Sequence, residues 1–157
     1  MKCLLVFYTR TGTTKKVATS ISENLKCDVE QVFDTKKRDG PLGYLSAGKD
    51  ATFKLKTKIK ETTKNPKDYD LVIIGTPVWA FTLTPAIRTY ISKNKNNFKK
   101  VAFFCTMGGS GSTRTFFDME KLCKIKPEST LELTTNEVNE NNYIGNLRRF
   151  IDQITSN

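Results

Sequence analysis

The sequence predicts an α/β fold, in which a parallel sheet of five strands is covered by helices on both faces. Short apolar runs alternate along the chain with segments of helical periodicity, which is the order typical of such a sheet. Three of the runs, residues 2–8, 70–75 and 100–106, are almost continuously apolar, as expected of strands buried on both faces. The length of 157 residues suits a single domain spanning residues 1–157.

The first half of the chain predicts two strands, each followed by a helix. The helix after the strand at residues 2–8 carries its apolar residues on one face, at four-residue spacing: Val17, Ile21 and Leu25. Residues 28–33 alternate polar and apolar side chains and form the second predicted strand. A helix is predicted over about 42–53 and a loop after it, although residues 53–60 also alternate as a half-exposed strand would.

The second half of the chain adds three strands and three helices. The strands are predicted at residues 70–75, 100–106 and 130–134, and the alternation in the last of these suits an edge strand. Pro85 suits the first position of a helix, because the ring fixes a helical backbone and the missing N–H needs no partner there. Further helices are predicted at 114–124, burying Phe116, and at 139–155.

The composition excludes several kinds of catalytic site. The chain has no histidine, which removes Ser-His and Cys-His nucleophiles and histidine metal ligands. Chemistry is therefore expected to belong to a bound cofactor. No two of the four cysteines, Cys3, Cys27, Cys105 and Cys123, form a CxxC pair. Cys3 and Cys105 sit inside apolar runs, and we expect them to pack as small hydrophobic residues with no disulfide or metal role. No stretch approaches a membrane span and Met1 leads directly into a strand, which predicts a cytoplasmic protein.

The formal charge of +10 is concentrated in one connection. Residues 35–68 contain ten basic and four acidic side chains. Such a segment can steer acidic partners or phosphorylated ligands, or it can form a lysine-rich solvated surface. Because the chain has no helix-turn-helix pattern and no aromatic residues interleaved with a basic motif, we expect no nucleic-acid binding.

Three turns follow apolar strands and carry the residues of a candidate binding site. In residues 9–14, four threonines and Gly12 stand at a predicted helix start, whose unpaired N–H groups suit a phosphate. Neither a nucleoside-triphosphatase loop nor the three-glycine dinucleotide fingerprint fits this turn. Residues 76–83 offer the single tryptophan, Trp79, and residues 106–112 offer backbone donors on glycines. A phosphate site, a surface for a flat ring and donors for its edge together indicate flavin mononucleotide (FMN).

The three turns resemble those of the flavodoxin family, over nearly the whole chain. Residues 8–14 (YTRTGTT) resemble its phosphate loop, and residues 69–80 (YDLVIIGTPVWA) resemble its second flavin loop. Residues 40–51 (GPLGYLSAGKDA) are similar to a connecting segment of the family. The resemblance implies a three-layer flavodoxin-like sandwich, strand order 2-1-3-4-5 and non-covalent FMN.

The resemblance also implies roles for particular residues. The phosphate would be held by the hydroxyls of Thr9, Thr11 and Thr14 and by the amides of Arg10, Thr11, Gly12 and Thr13. The second loop would supply one flavin face and the neighbourhood of flavin N5, through Thr76, Pro77, Val78, Trp79, Ala80 and Phe81. The third would approach the pyrimidine edge, through Thr106, Met107, Gly108, Gly109 and Gly111. The side chain of Arg10 would approach the phosphate or point to water.

The sequence departs from the family pattern in three ways. The third turn has no aromatic residue, whereas carrier flavodoxins commonly stack a tyrosine there. The chain is basic, whereas those carriers are generally acidic, so we expect acidic redox partners. No glycine lies between Thr76 and Thr84, so a peptide flip to positive φ beside N5 is expected to cost ~1–2 kcal/mol and to leave the one-electron-reduced flavin weakly stabilised.

Three functions are considered for these features. Two of them use a flavin bound to the same fold, and the third needs no flavin. The first is a low-potential electron carrier between redox proteins, expected as a monomer or weak dimer. The second is an NAD(P)H-dependent quinone or flavin reductase, which the open third turn favours. The third is a module that binds another phosphate compound.

Overall fold

The structure is a computed structural model that describes residues 1–36 and 40–156. Lys37, Arg38 and Asp39, which belong to the basic connection counted above, lie outside the described residues. The strands are β1 Cys3–Phe7, β2 Asp28–Gln31, β3 Leu71–Trp79, β4 Thr82–Leu83, β5 Val101–Met107 and β6 Thr130–Thr134. The helices are α1 Thr13–Leu25, α2 Gly40–Thr52, α3 Pro85–Asn94, α4 Ser112–Cys123, α5 Thr135–Asn139 and α6 Ile144–Thr155.

The sheet has the expected doubly wound order. Its strands run β2-β1-β3-β5-β6, and every neighbouring pair on this path is parallel. Counted over the parallel strands alone this is the order 2-1-3-4-5, which confirms the fold class. The winding reverses between β1 and β3, so the carboxyl ends of β1, β3 and β5 meet at one edge of the sheet.

Two apolar layers cover the sheet because successive side chains of each strand point to opposite faces. Leu4 and Val6 of β1 belong to one layer, which α3 and α4 complete. Leu5 and Phe7 belong to the other, which α1 and α6 complete. The central strands are buried on both faces, as their continuous apolar runs predicted.

The second flavin-loop segment contains a strand that the sequence analysis did not predict. β3 continues past residue 75 to Trp79, and β4 returns antiparallel, with Val78 opposite Leu83 and Trp79 opposite Thr82. Only two residues connect them, so the segment is a tight hairpin at the end of the sheet.

The predicted final helix at 139–155 is wrong at its start. The chain forms the short α5 first, and α6 begins only at Ile144. The Thr134 hydroxyl accepts the Glu137 N–H while the Glu137 carboxylate accepts the Thr134 N–H, which is the reciprocal cap of a helix start. Phe116, expected to be buried by α4, is only partly buried.

The connection after α2 is a loop, as predicted. Its alternation still shows, because Thr57 and Ile59 are buried and their neighbours are exposed. Ile59 forms one antiparallel bridge with Asp34, three residues after the end of β2, and the described residues of this segment form no longer strand.

Cys3 and Cys27 form a disulfide, so the expectation that Cys3 has no disulfide role is wrong. The register of β1 and β2 pairs Leu4 with Asp28, which sets Cys3 beside Cys27 with a Cα–Cα distance of 4.7 Å. Cys105 and Cys123 are buried free thiols.

The amino ends of the central strands lie at the edge opposite the carboxyl ends. A cleft of about 390 Å³ there brings Met1 and Leu71 together with Ile154 and Thr155, so residues 1 and 155 lie close in space. Among residues 1–36 and 40–156, no helix is both long and apolar enough to cross a membrane.

Candidate functional site

A cleft of about 170 Å³ lies at the carboxyl ends of β1, β3 and β5. It is the place where an open parallel sheet with this order binds its ligands. Eleven of the predicted site residues line it: Thr9, Arg10, Thr11, Thr13, Thr14, Pro77, Val78, Trp79, Thr106, Met107 and Gly108. Two further lining residues, Tyr44 and Thr135, were missed.

The first turn presents the start of α1 to the cleft. Gly12 precedes the helix with φ 97°, a left-handed conformation that suits glycine, and its amide donates to the Thr9 hydroxyl at 3.0 Å. In the described chain no side chain caps α1, and no acid stands in its first turn. The helix therefore offers free N–H groups and the positive end of its dipole to an anion in the cleft.

The first and third turns are joined by a buried hydroxyl pair. Thr14 Oγ1 and Thr106 Oγ1 are 2.8 Å apart, and both side chains line the cleft. Beyond this pair, the Thr135 hydroxyl donates to the Met107 carbonyl at 3.2 Å and holds the end of β5 against α5. Thr135 lies on a different element from the three turns, so no local motif signals its place in the site.

An arginine between two aromatic rings closes one side of the cleft. The Arg10 guanidinium carbon lies 5.0 Å from the Tyr44 ring centroid and 5.3 Å from that of Trp79. Tyr8 meets Trp79 edge-on, with ring centroids 5.6 Å apart. This cation–π arrangement was not among the roles expected for the Arg10 side chain, whose contact with a phosphate stays a prediction. Tyr44 was missed because it comes from α2, which is remote in sequence.

The hairpin between β3 and β4 has a left-handed backbone at both connecting residues. Ala80 has φ 47° and Phe81 has φ 61°. Two such residues form the turn that matches the twist of a two-residue hairpin, a role usually taken by Asn-Gly. Ala80 and Phe81 thus already have positive φ in the folded chain, whereas the sequence predicted a penalty for a change to that conformation. Weak stabilisation of the one-electron-reduced flavin stays a prediction.

A buried carboxylate anchors this hairpin. Asp118 of α4 is 6% exposed, and it accepts the Thr82 hydroxyl at 2.6 Å and the Lys54 ammonium at 2.8 Å. The buried Arg88 guanidinium donates to the same Thr82 hydroxyl at 3.1 Å. Burial alone raises the pKa of Asp118, but the hydrogen bonds and charges of Lys54, Thr82 and Arg88 outweigh it and hold that pKa below its usual value. The Asp118 network thus ties the segment directly after α2 to α3, α4 and the hairpin.

Gly111 brings the third turn against the same hairpin. Its φ is 109°, and a Cβ at this position would lie 2.7 Å from Val78 Cγ1 and 3.1 Å from Phe81 Cα. Only glycine allows this approach, so the start of α4 and the hairpin share one packing contact.

Six predicted site residues do not line the cleft. Thr76 is fully buried, and its hydroxyl accepts the Thr84 N–H at 3.1 Å, so it shapes the hairpin from below. Gly12 sets the backbone of the first turn, as described above. Ala80, Phe81 and Gly111 form the hairpin contact at the rim, and Gly109 lies beyond the end of β5.

The sequence was compared with models of known protein families. The flavodoxin model matches residues 2–138, which is most of the chain. This chain belongs to the flavodoxin family. A comparison with curated proteins finds no match.

Solved structures similar to this flavodoxin-family chain share its fold. A flavoprotein from Lactobacillus acidophilus NCFM, in complex with FMN, has a TM-score of 0.74 and 23% identity and covers 88% of this chain and 97% of its own. A protein from Bacteroides eggerthii DSM 20697 described as a flavoprotein has a TM-score of 0.71 and 21% identity, covering 91% and 96%. Streptococcus pneumonia TIGR4 flavodoxin has a TM-score of 0.61 and 11% identity, covering 99% of both chains.

Proposed function

We propose that the chain binds FMN in this cleft and carries electrons between redox partners. The observation that carries the proposal is the start of α1, uncapped within the described residues, facing the same cleft as Trp79. A phosphate suits the helix start, and an apolar ring suits the indole. FMN, once bound, accepts and gives up one or two electrons, and the FMN complex of the Lactobacillus acidophilus flavoprotein supports this assignment.

The residues of the chain have separate parts in this proposal. The hydroxyls of Thr9 and Thr14 and the first amides of α1 bind the phosphate. Trp79, held by Tyr8, supplies a stacking surface worth ~0.5–1.5 kcal/mol beyond its buried area. The glycines after β5 supply backbone donors for the edge of the ring.

FMN titration of the purified protein tests the cofactor assignment. Quenched flavin fluorescence and retained flavin absorption after removal of excess FMN are the expected results. Protein that retains no flavin would contradict the cofactor assignment and leave a module that binds another phosphate compound as the alternative.

Thr14→Val is expected to weaken FMN binding about tenfold, because it removes a phosphate donor and the hydroxyl pair with Thr106. The measurement is the dissociation constant from flavin fluorescence. Thr19→Val on the exposed side of the same helix is the matched control and should leave the constant unchanged. Equal FMN dissociation constants for Thr14→Val and Thr19→Val would show that Thr14 does not contribute to phosphate binding.

The reductase alternative rests on the open third turn. Gly108 lines the cleft and no aromatic side chain stands among residues 107–111, so a nicotinamide or quinone ring could approach the flavin from that side. Adding NADPH to the FMN-loaded protein separates the two functions. A carrier keeps its yellow colour without a partner reductase, whereas a reductase is bleached within seconds.

The remaining expectations are part of the same proposal. The net charge of +10 favours acidic redox partners. A cytoplasmic protein that is a monomer or weak dimer and binds no nucleic acid fits a small diffusing carrier. Fractionation of the source cells and light scattering of the purified protein test these points.

A further inference from the structure

Three exposed phenylalanines directly precede residues of the Asp118 network along the chain. They are Phe53, 67% exposed, Phe81, 60% exposed, and Phe117, 64% exposed. We call them the phenylalanine patch. Their chain neighbours are Lys54, Thr82 and Asp118 itself, and the first two side chains reach the Asp118 carboxylate at 2.8 and 2.6 Å. The three segments that carry the rings, namely the residues directly after α2, the hairpin and α4, are therefore joined at the Asp118 carboxylate.

Phe81 places one end of this patch beside the cleft. Phe81 is part of the hairpin whose strand β3 supplies Trp79, and Gly111 at the start of α4 packs against its backbone. Exposed apolar residues are ordinary when they are scattered. Three exposed aromatic rings on segments joined at one buried carboxylate, with one of them at a candidate cofactor cleft, mark a surface for another molecule. Leu42 and Leu45, on the outer side of α2, are also largely exposed.

The charged residues around the patch are mostly basic. Arg114 and Lys121 stand three residues before and four residues after Phe117, so all three share one exposed face of α4. Lys49 and Lys56, both exposed, flank Phe53 along the chain. Glu120 is the exposed acid of this part of α4. An apolar centre with a positive rim is complementary to a partner with an apolar centre and a negative rim.

We propose that an acidic electron-transfer protein docks on the phenylalanine patch. A second copy of this chain fits less well, because it would bring the same positive rim against itself. An acidic partner neutralises the rim and buries the rings. Docking at Phe81 would also set the partner's redox centre next to the cleft. That the partner is an electron-transfer protein and that its redox centre lies next to the cleft rest on the proposed function, whereas docking of an acidic protein does not.

The test uses a plant-type [2Fe–2S] ferredoxin as an acidic probe and cytochrome c as a basic one. Association of each dye-labelled probe with the full chain is measured by fluorescence anisotropy, with and without FMN. We expect the ferredoxin to bind and its affinity to fall about tenfold between ~20 mM and ~200 mM salt, while cytochrome c does not bind.

Two double variants test the position of the docking surface, and a third serves as their control. Phe53→Ser with Phe117→Ser is expected to weaken ferredoxin binding about tenfold or more without changing FMN retention, because neither ring lines the cleft. Arg114→Glu with Lys121→Glu should weaken it similarly. Lys93→Glu with Lys95→Glu, the same charge change at the far end of α3, is the matched control and should have little effect.

Several results would overturn the proposal. The first is the absence of ferredoxin binding, or an equal loss of affinity in the Arg114/Lys121 variant and in the Lys93/Lys95 control. The second is a dimer in light scattering that the phenylalanine variants dissociate, which would make the patch a contact between copies. The third is sedimentation with vesicles of anionic lipid, lost in those variants, which would make it a membrane surface. If the chain binds ferredoxin but retains no FMN, the docking proposal stands and the proposed function is contradicted.

Discussion

Gly111 is the residue on which the fit between two site segments depends. Gly111→Ala is expected to lower the free energy of unfolding by about 1–3 kcal/mol, because alanine is strained at φ 109° and its methyl would meet Val78. Urea denaturation measures the change. FMN binding should weaken as well, since the hairpin must move.

Gly109→Ala is the matched control for this variant. Gly109 lies in the same turn, its φ is not positive, and nothing within 4 Å meets an added Cβ. If both variants were equally stable, the contact between Gly111 and the hairpin would not contribute to the fold.

Asp118 gives the stability a defined dependence on pH. Since its pKa is lower in the folded chain, its stabilising contribution is complete above its unfolded value of about 4 and is lost as the pH falls through the lower folded value. Asp118→Asn should therefore flatten the loss of stability below about pH 4, as thermal melts at several pH values would show. Asp152→Asn, at an exposed position on α6, should leave the curve unchanged.

The sequence predicted individual site residues as far as local patterns reach. Thr9, Thr14 and Trp79 follow apolar strands, so their place at the edge of the sheet could be derived from the order of elements. The stacking of Arg10 between Tyr44 and Trp79 could not, because it joins segments that meet only after folding.

At the scale of elements, β1 and β2 are joined at their amino ends by Cys3 and Cys27. We expect two of the four cysteines to react with a thiol reagent in denaturant, and all four after reduction. Cys27→Ser should leave three reactive thiols because it releases Cys3. Four reactive thiols in the unreduced protein would contradict the pairing.

The elements missed by the sequence analysis have physical explanations. β4 has two residues, too few for a periodicity, and its turn uses Ala80 and Phe81 where glycine or asparagine would have signalled a hairpin. The start of α5 did carry a readable signal, since Thr134 and Glu137 have the spacing of a capping box. The disulfide depended on the register of two strands, which the apolar pattern alone does not specify.

At the scale of the whole molecule, burial predicts an order of local stability. Amides of β1, β3 and β5 should exchange with deuterium most slowly, because these strands are paired on both sides and covered on both faces. Amides of β2 and β6, at the edges, should exchange sooner. Slower exchange in β6 than in β3 would indicate that another chain covers this edge.

The overall topology was the most predictable property of the molecule. Apolar runs of strand length that alternate with helical periodicity leave few arrangements other than a parallel sheet covered on both faces. The charge distribution was equally visible, but its meaning depended on which exposed apolar residues lie near the lysines. Only the fold joins the segments that carry Phe53 and Phe117, through the hydrogen bond between Lys54 and Asp118.

The closeness of residues 1 and 155 has a practical use. Both lie at the amino ends of the strands, with the length of the sheet between them and the cleft. An affinity tag or a fluorescent protein fused at either position would therefore leave the cofactor edge accessible. A circular permutant could link residues 1 and 155 by a short peptide and place its new ends in another exposed loop. The strands would then be synthesised in a different order, while the cleft keeps its residues.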